Sequence, residues 1–498
     1  MIKVGLILGV IWAGLRLTVS AQVVNIPDPG LQQRIRLAVS KPTGDITLSE
    51  MASLTRLDLS ESRIRSLQGL ETATNLTWLD LSYNRVTNEN ALASLSRLSW
   101  LSLRGNVLTN VALAVNAASK LAVLDLSLNQ LTNLTLPTEL VSLTNLNLSG
   151  NRFSDFSSLK ALENLWSLDI SWNRLTNLAL PPGIGGLRVL DVRGNYLSDL
   201  SFLSSLTNVE RFSAPLNQIT LLRFPPDVTR LKWLDVSYNQ VTDPVSAEGM
   251  YSLNVLNLAG NEVRDIVFLV DLTNLTTLDL SQNQLRHAVI PSSMENLSVL
   301  DLSGNQLADF ILPAGMSRLT ALNVGENNLT DVILPAGLLN LTSLNLSYNL
   351  LTNLALGGDL SQLSELYVNE NQLSTLIVPS GVDNLQLLNF DPNPLTSVVV
   401  PAGNPLLGQV FLALRNHNVH LLLNPSAKSA RRLADGSFAF EVYGDVGTVV
   451  VQRSTELKTW QEVGVVAITW PNYPGFTFID TNSPPLEKAF YRLKLPLK

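Results

Sequence analysis

Histidines, cysteines, paired acids and activated hydroxyls carry most protein chemistry, and this chain offers little of it. It has no cysteine, which excludes disulfides, thiolate catalysis and Cys-ligated metal. Its three histidines are His287, His417 and His420. The run His417-Asn418-Val419-His420 could in principle hold a shared metal, but two solvated imidazoles are the simpler reading, so no metal and no cofactor is expected. There is no Gly-rich lysine loop, no Gly-x-Ser-x-Gly elbow and no His-Glu-x-x-His. Nothing sets a base beside a nucleophile, and a non-enzymatic protein is expected. What remains is recognition chemistry. Trp78, Tyr83, Trp100, Trp172, Trp233 and Tyr238 pair a large apolar body with a polar handle, the residue type enriched at binding hot spots and sugar-binding surfaces.

The elements that must position these residues are set by a repeat. Asn recurs from Asn84 through Asn106, Asn129 and Asn151 to Asn393, always at 22 residues except for one step of 23 between 106 and 129. Ser62 holds the same place in an earlier copy, making about sixteen coils. Before each Asn runs Leu-x-x-Leu-x-Leu-x-x-Asn, as in Leu76 to Asn84. Alternation across Leu79 and Leu81 has period two, so each copy predicts a short strand with one buried face. Stacked strands would form a parallel sheet about 75 Å long. The Asn is expected to turn inward and bond backbone groups left unpaired at the bend. Its loss should cost about 1–3 kcal/mol, and truncating an inward Leu to Ala about 2–5 kcal/mol. The return paths are of two kinds: an extended Leu-x-Leu-Pro type (Leu134 to Pro137, Leu178 to Pro181, Ile311 to Pro313, Val332 to Pro335), and a tight helical type (Asp155 to Leu162, Asp199 to Leu206).

These motifs resemble leucine-rich repeats of the 22-residue, bacterial internalin-like type over roughly residues 24–423. The resemblance implies a solenoid with a curved parallel sheet, short turns and extended segments on the convex side, and an N-terminal helical cap. Ile26 to Leu37 is similar to that cap: Asp28 and Pro29 start a helix, and Leu31, Ile35 and Ala38 share a face that covers the first coil. Ala214 and Pro215 are expected to break one strand, and the coil after Asn393 is degenerate through His417. From Gly436 the texture changes to short β-type runs (438–443, 449–453, 463–468, 476–479, 489–495) with Trp460, Phe490 and Tyr491 as core aromatics. This stretch resembles a small β-sandwich module at the C-terminus of many secreted bacterial proteins. The expected organisation is signal peptide 1–21, cap 22–50, repeats 51–425 and an all-β C-terminal module 426–498.

The leader reading rests on Lys3, the apolar run Val4 to Leu15 and the small residues Val19-Ser20-Ala21. It implies a secreted or cell-surface protein with no transmembrane segment after cleavage. A net charge of -7 and pI near 5.2 exclude nucleic acid as the main partner. A late basic group, Lys428, Arg431 and Arg432, reads as a solvated linker. On the solvent side of the strands, four positions before the Asn, stands an acidic column: Asp58, Asp80, Asp125, Asp169, Asp191, Asp235, Asp279 and Asp301. As part of the common frame it is read as structural. Departures from the frame say more. Trp78 and Trp100 share a column on adjacent coils, and Arg104 and Arg193 interrupt a Ser column two before the Asn. The expected function is a monomeric binding scaffold whose concave face engages a protein or glycan. The alternative is a structural or surface-layer spacer docked by its C-terminal module.

Overall fold

A computed structural model describes residues 22–401 apart from 116–118, 138–139, 157–161, 181–183, 225–226, 245–249, 357–359 and 380. Beyond these it describes 420–424, 426–433, 437–443, 447–454, 459, 461–468, 475–480 and 490–494. The leader, His417, Trp460 and much of the return path 155–162 lie outside the described residues. The chain divides into two compact units, Met1–Asn173 with Leu180–Ile184, and Arg174–Ala179 with Gly185–Lys498.

The first unit begins with the cap. Asp28 starts helix α1 (Pro29–Ala38) by accepting from the Gly30 and Leu31 amides at 3.0 and 3.1 Å. Its other oxygen accepts from Arg65 and Ser66 of the first coil, at 2.8 and 3.1 Å. Burial works against this carboxylate, but the four backbone donors outweigh it and hold its pKa below the ordinary value. Leu31 and Ile35 are buried as expected, whereas Ala38, at the helix end, is exposed. Cover comes instead from Ile46 and from Met51 of helix α2 (Leu48–Ser53), which a Thr47/Glu50 capping box opens. Arg34 stands in for the coil that the first strand lacks, donating to Ser62 Oγ at 2.6 Å and Ser60 O at 3.1 Å.

Six parallel strands follow: β1 (Arg56–Asp58), β2 (Trp78–Asp80), β3 (Trp100–Ser102), β4 (Val123–Asp125), β5 (Asn145–Asn147) and β6 (Ser167–Asp169). Their register is that of the repeat, Leu57 against Leu79 and Trp78 against Trp100. The two Leu of each frame are buried, and so is the Asn. Asn84 Nδ2 donates to Leu59 O, Leu81 O and Ser82 O at 2.8, 2.9 and 3.2 Å, while its Oδ1 accepts from Ile64 N at 2.9 Å. The same set recurs at Asn151 and Asn239. The inward Asn is thus a cross-coil bracket.

The second unit carries ten strands of the same frame, from β7 (Val189–Asp191) and β8 (Arg211–Ser213) to Leu387–Asn389. Return paths of the tight type form 3-10 helices at Ser201–Ser205 and Val267–Asp271. The extended type builds small parallel sheets of its own, His287–Val289 with Asp309–Ile311, and Thr375–Ile377 with Ser397–Pro401 and His420–Asn424. The expected break at Ala214 and Pro215 does not occur. β8 pairs on both sides, with Phe212 and Ala214 buried in the two Leu positions. Pro215 costs little because the N–H at its position is normally taken by the acid of the frame, whose place Ser213 holds here.

Toward the C-terminus lie two three-stranded antiparallel sheets. Ser426–Arg432, Phe438–Tyr443 and Gly475–Asp480 form one, and Gly447–Ser454, Gln461–Ile468 and Phe490–Lys494 the other. Lys428, Arg431 and Arg432 therefore fall on a strand, not a linker. Buried Asp480 of the first sheet accepts from Arg453 Nη1 at 2.7 Å and from Tyr491 Oη at 2.9 Å of the second.

Candidate binding surface on the parallel sheets

Three columns on the solvent side of the strands hold the candidate residues, and backbone geometry decides what each column can present. Six positions before the Asn, side chains stand upright between neighbours one strand spacing apart, about 4.8 Å. Trp78 and Trp100 fill adjacent places and stack, ring centroids 4.6 Å apart and planes 13° from parallel. The Arg56 guanidinium lies 4.4 Å over Trp78. Both rings therefore turn their faces along the stack and their edges to solvent. In the second unit Arg211 covers Trp233 in the same way at 4.5 Å.

The column one before the Asn has positive φ up to the coil of Asn371, from 53° to 56° at Tyr83, Trp172, Leu216 and Tyr238 and 65° at Gly105, Gly150 and Gly260; Pro392 ends it before Asn393. A left-handed residue here lets the chain leave the strand while the Asn turns inward, at a cost of about 1–2 kcal/mol for each non-Gly residue. The large side chains extend over the next coil. A Cβ added at Gly105 would sit 2.7 Å from Tyr83, and one at Gly260 2.6 Å from Tyr238. Tyr83, Trp172 and Tyr238 remain 48%, 54% and 51% exposed. Tyr83 and Tyr238 thus cover a neighbouring glycine and are still accessible.

Two positions before the Asn, Arg104 donates from Nε to Tyr83 Oη at 2.9 Å and from Nη1 to Ser127 Oγ at 2.7 Å. Arg193 is paired with Asp191, its Nε 2.8 Å from Oδ2. The structure therefore sets two clusters on neighbouring coils of the first unit, Arg56 with Trp78 and Trp100, and Tyr83 with Arg104.

The acidic column closes the strand ends. Asp80, Asp125, Asp169, Asp235, Asp279 and Asp301 each accept from the amide of the Ser two residues on, at 2.8–3.0 Å. Asn147 and Asn345 do the same without charge. At Asp279 burial, with Asp301 and Asp235 adding repulsion, raises the pKa despite the Ser281 bonds.

Sequence reasoning missed a second cluster. Glu210 lies between Arg188 and Lys232, at 3.0 and 2.9 Å, seven positions before the Asn and beside Arg211 and Trp233. Its signal was present, because that column is mostly Ser and Thr in other coils. Among the described residues no group of three acids and histidines could hold a metal, and no helix is long and apolar enough to cross a membrane.

Three leucine-rich-repeat family models match the chain, one over residues 229–285, another over 142–162, 274–297 and 296–317, and a third over 72–93. The fold is that of a leucine-rich-repeat solenoid. No curated protein matches the sequence. Among solved structures, the chain is similar to a leucine-rich-repeat protein of Leptospira interrogans, at 29% identity and TM-score 0.62, covering 75% of this chain and 97% of that one. The functional domain of InlJ from Listeria monocytogenes has TM-score 0.63 at 20% identity, over 85% of this chain and 95% of its own, which places it as a fold relative. The ectodomain of the plant membrane receptor kinase GASSHO1/SCHENGEN3 from Arabidopsis thaliana, solved with CASPARIAN STRIP INTEGRITY FACTOR 2, matches at 25% identity and TM-score 0.50, over 72% and 51% of the two chains.

Proposed function

We propose that this chain is an exported, non-enzymatic scaffold that binds a protein partner on the solvent face of its strands, centred on Arg56, Trp78, Tyr83, Trp100 and Arg104. The observation that carries this reading is the Arg56–Trp78–Trp100 stack. Three large side chains break the frame at one place, already ordered against one another, so docking costs little further side-chain entropy. A sugar platform needs an open ring face. Trp78 lies between Arg56 and Trp100 and offers its edge, which suits a protein surface. Arg104 is held by Tyr83 and Ser127 in a fixed direction, a second anchor beside the first. The plant receptor ectodomain solved with its factor shows that the same repeat fold serves recognition in another protein.

The leader at 1–21 supports export, and the strands after 426 suit a β-sandwich module at the far end of the repeats. The spacer reading draws on the later coils, where the hydroxyls of Thr276, Thr320 and Thr342 each donate to a carbonyl of the preceding coil and break the frame nowhere.

The test is a pull-down from cell-surface and culture extracts with the full chain and with Trp78→Val/Trp100→Val. Val fills this column at 123, 189, 255 and 299, so the variant should fold. A partner kept by the wild type and lost by the folded variant is the expected result. A partner held equally by both would refute the patch, and no partner at all would favour the spacer.

A further inference from the structure

Three residues after the Asn, twelve of fifteen coils carry Ser or Thr. Two neighbouring coils carry Arg264 and Arg286 instead. With Gln284 and Gln306 these arginines line a recess of about 440 Å³ on the flank of the second unit, away from the stacked tryptophans in the chain. We propose that this recess is an oxyanion site, taking the sulfate, phosphate or carboxylate group of an acidic ligand.

The lining chemistry is one-sided. Both guanidiniums are exposed, and among the described residues neither has an ion-pair partner. Arg264 Nε donates to Gln284 Oε1 at 3.3 Å, which occupies one lone pair of that amide and leaves its NH2 as a donor. A recess of guanidinium forks and an amide NH2 matches a ligand that only accepts hydrogen bonds, and a planar fork pairs well with two oxygens of one anion. Like charges on adjacent coils repel, and an anion between them removes that cost. The acidic column of the sheet face is built from another position of the frame.

The frame also supplies the control. Thr stands at this position in the coils of Asn239 and Asn327, so Arg264→Thr/Arg286→Thr restores the common residue and should not disturb folding. Isothermal titration of the full chain with inorganic sulfate, inorganic phosphate and acetate, at matched ionic strength in chloride, reads the site directly. Saturable binding of sulfate or phosphate is expected, weakened at least tenfold in the double variant and unchanged in Arg85→Gln, an arginine remote in sequence. A sulfated disaccharide binding tenfold or more tightly than inorganic sulfate would assign the anion to a saccharide; equal affinity would assign it to the free ion, and both outcomes keep the site. Absence of saturable binding, or equal binding by the double variant, would overturn it. Neither outcome touches the tryptophan patch, which is assayed separately.

Discussion

Replacing Asn151 with Ala tests the bracket on which every coil depends. Asn151 Nδ2 donates to Leu126 O, Leu148 O and Ser149 O at 3.0, 3.0 and 3.3 Å, and Oδ1 accepts from Leu131 N at 3.0 Å. The carbonyls have second partners. Leu126 O also accepts from Asn129, Leu148 O from Asn173, and Ser149 O from Leu128 N. The Leu131 amide has none, and Leu131 is fully buried. One orphaned buried N–H therefore sets the magnitude, about 1–3 kcal/mol, and the three lost carbonyl bonds add little. The assay is urea unfolding followed by circular dichroism, with amide hydrogen exchange at Leu131 as the local reading. Asn151→Asp separates the two halves of the bracket. Its carboxylate keeps the Leu131 contact but faces three carbonyls, which raises its folded pKa above the ordinary value near 4. Protonation restores a donor, so the stability of this variant relative to wild type is best in acid and is lost as pH rises through that raised pKa. An Ala variant within about 0.5 kcal/mol of wild type, with unchanged exchange at Leu131, would refute the reasoning.

Two further perturbations address charge. Asp28→Ala removes a helix cap and the acceptor for Arg65 and Ser66, and should lower stability by about 1–3 kcal/mol in denaturant titration. Because the folded pKa of Asp28 is depressed, its contribution is full above the ordinary carboxyl pKa, and the gap to the variant closes only as pH falls through the lowered value. Asp279→Asn keeps an acceptor for Ser281, as Asn147 does for Ser149, and removes a charge that burial and two acids disfavour. The folded pKa of Asp279 is raised, so its ionisation costs stability as pH rises; the variant should melt higher than wild type at pH 7 and equal to it below pH 4 in a thermal scan.

The strands were legible because two buried Leu and a buried Asn recur at fixed spacing, and burial at a fixed spacing leaves a period in the sequence. The two return types were legible for a similar reason: Pro ends the extended one at Ile311 to Pro313, and Asp199 with Ser201 starts the helical one. The left-handed column was not. It holds Tyr83, Leu128, Trp172, Gln282 and Gly105, residues with no shared propensity, because the conformation is imposed by the Asn that follows. Its alternation of large residue and glycine is steric: Leu128 reaches to 2.6 Å from where a Gly150 Cβ would stand. The cation covering Trp78 was missed because Arg56 lies in the strand before, and the Asp480 cluster because it joins strands distant in sequence.

A repeat protein carries its own background, and this bears on how a site can be recognised in one. Asp at 80 or 301 departs from nothing and is consumed by a serine amide two residues on. Tyr238 departs from the frame but is partly used in covering Gly260, and Arg193 is neutralised by Asp191. Functional weight belongs to departures whose polar atoms or ring edges the fold leaves unspent. The Trp78–Trp100 pair with Arg56 meets that condition on the sheet face, and Arg264 with Arg286 meets it on the flank. Each can be reverted to the residue its own neighbours carry, which removes the departure while leaving the coil intact. Loss of binding after such a reversion would therefore report on recognition and not on folding.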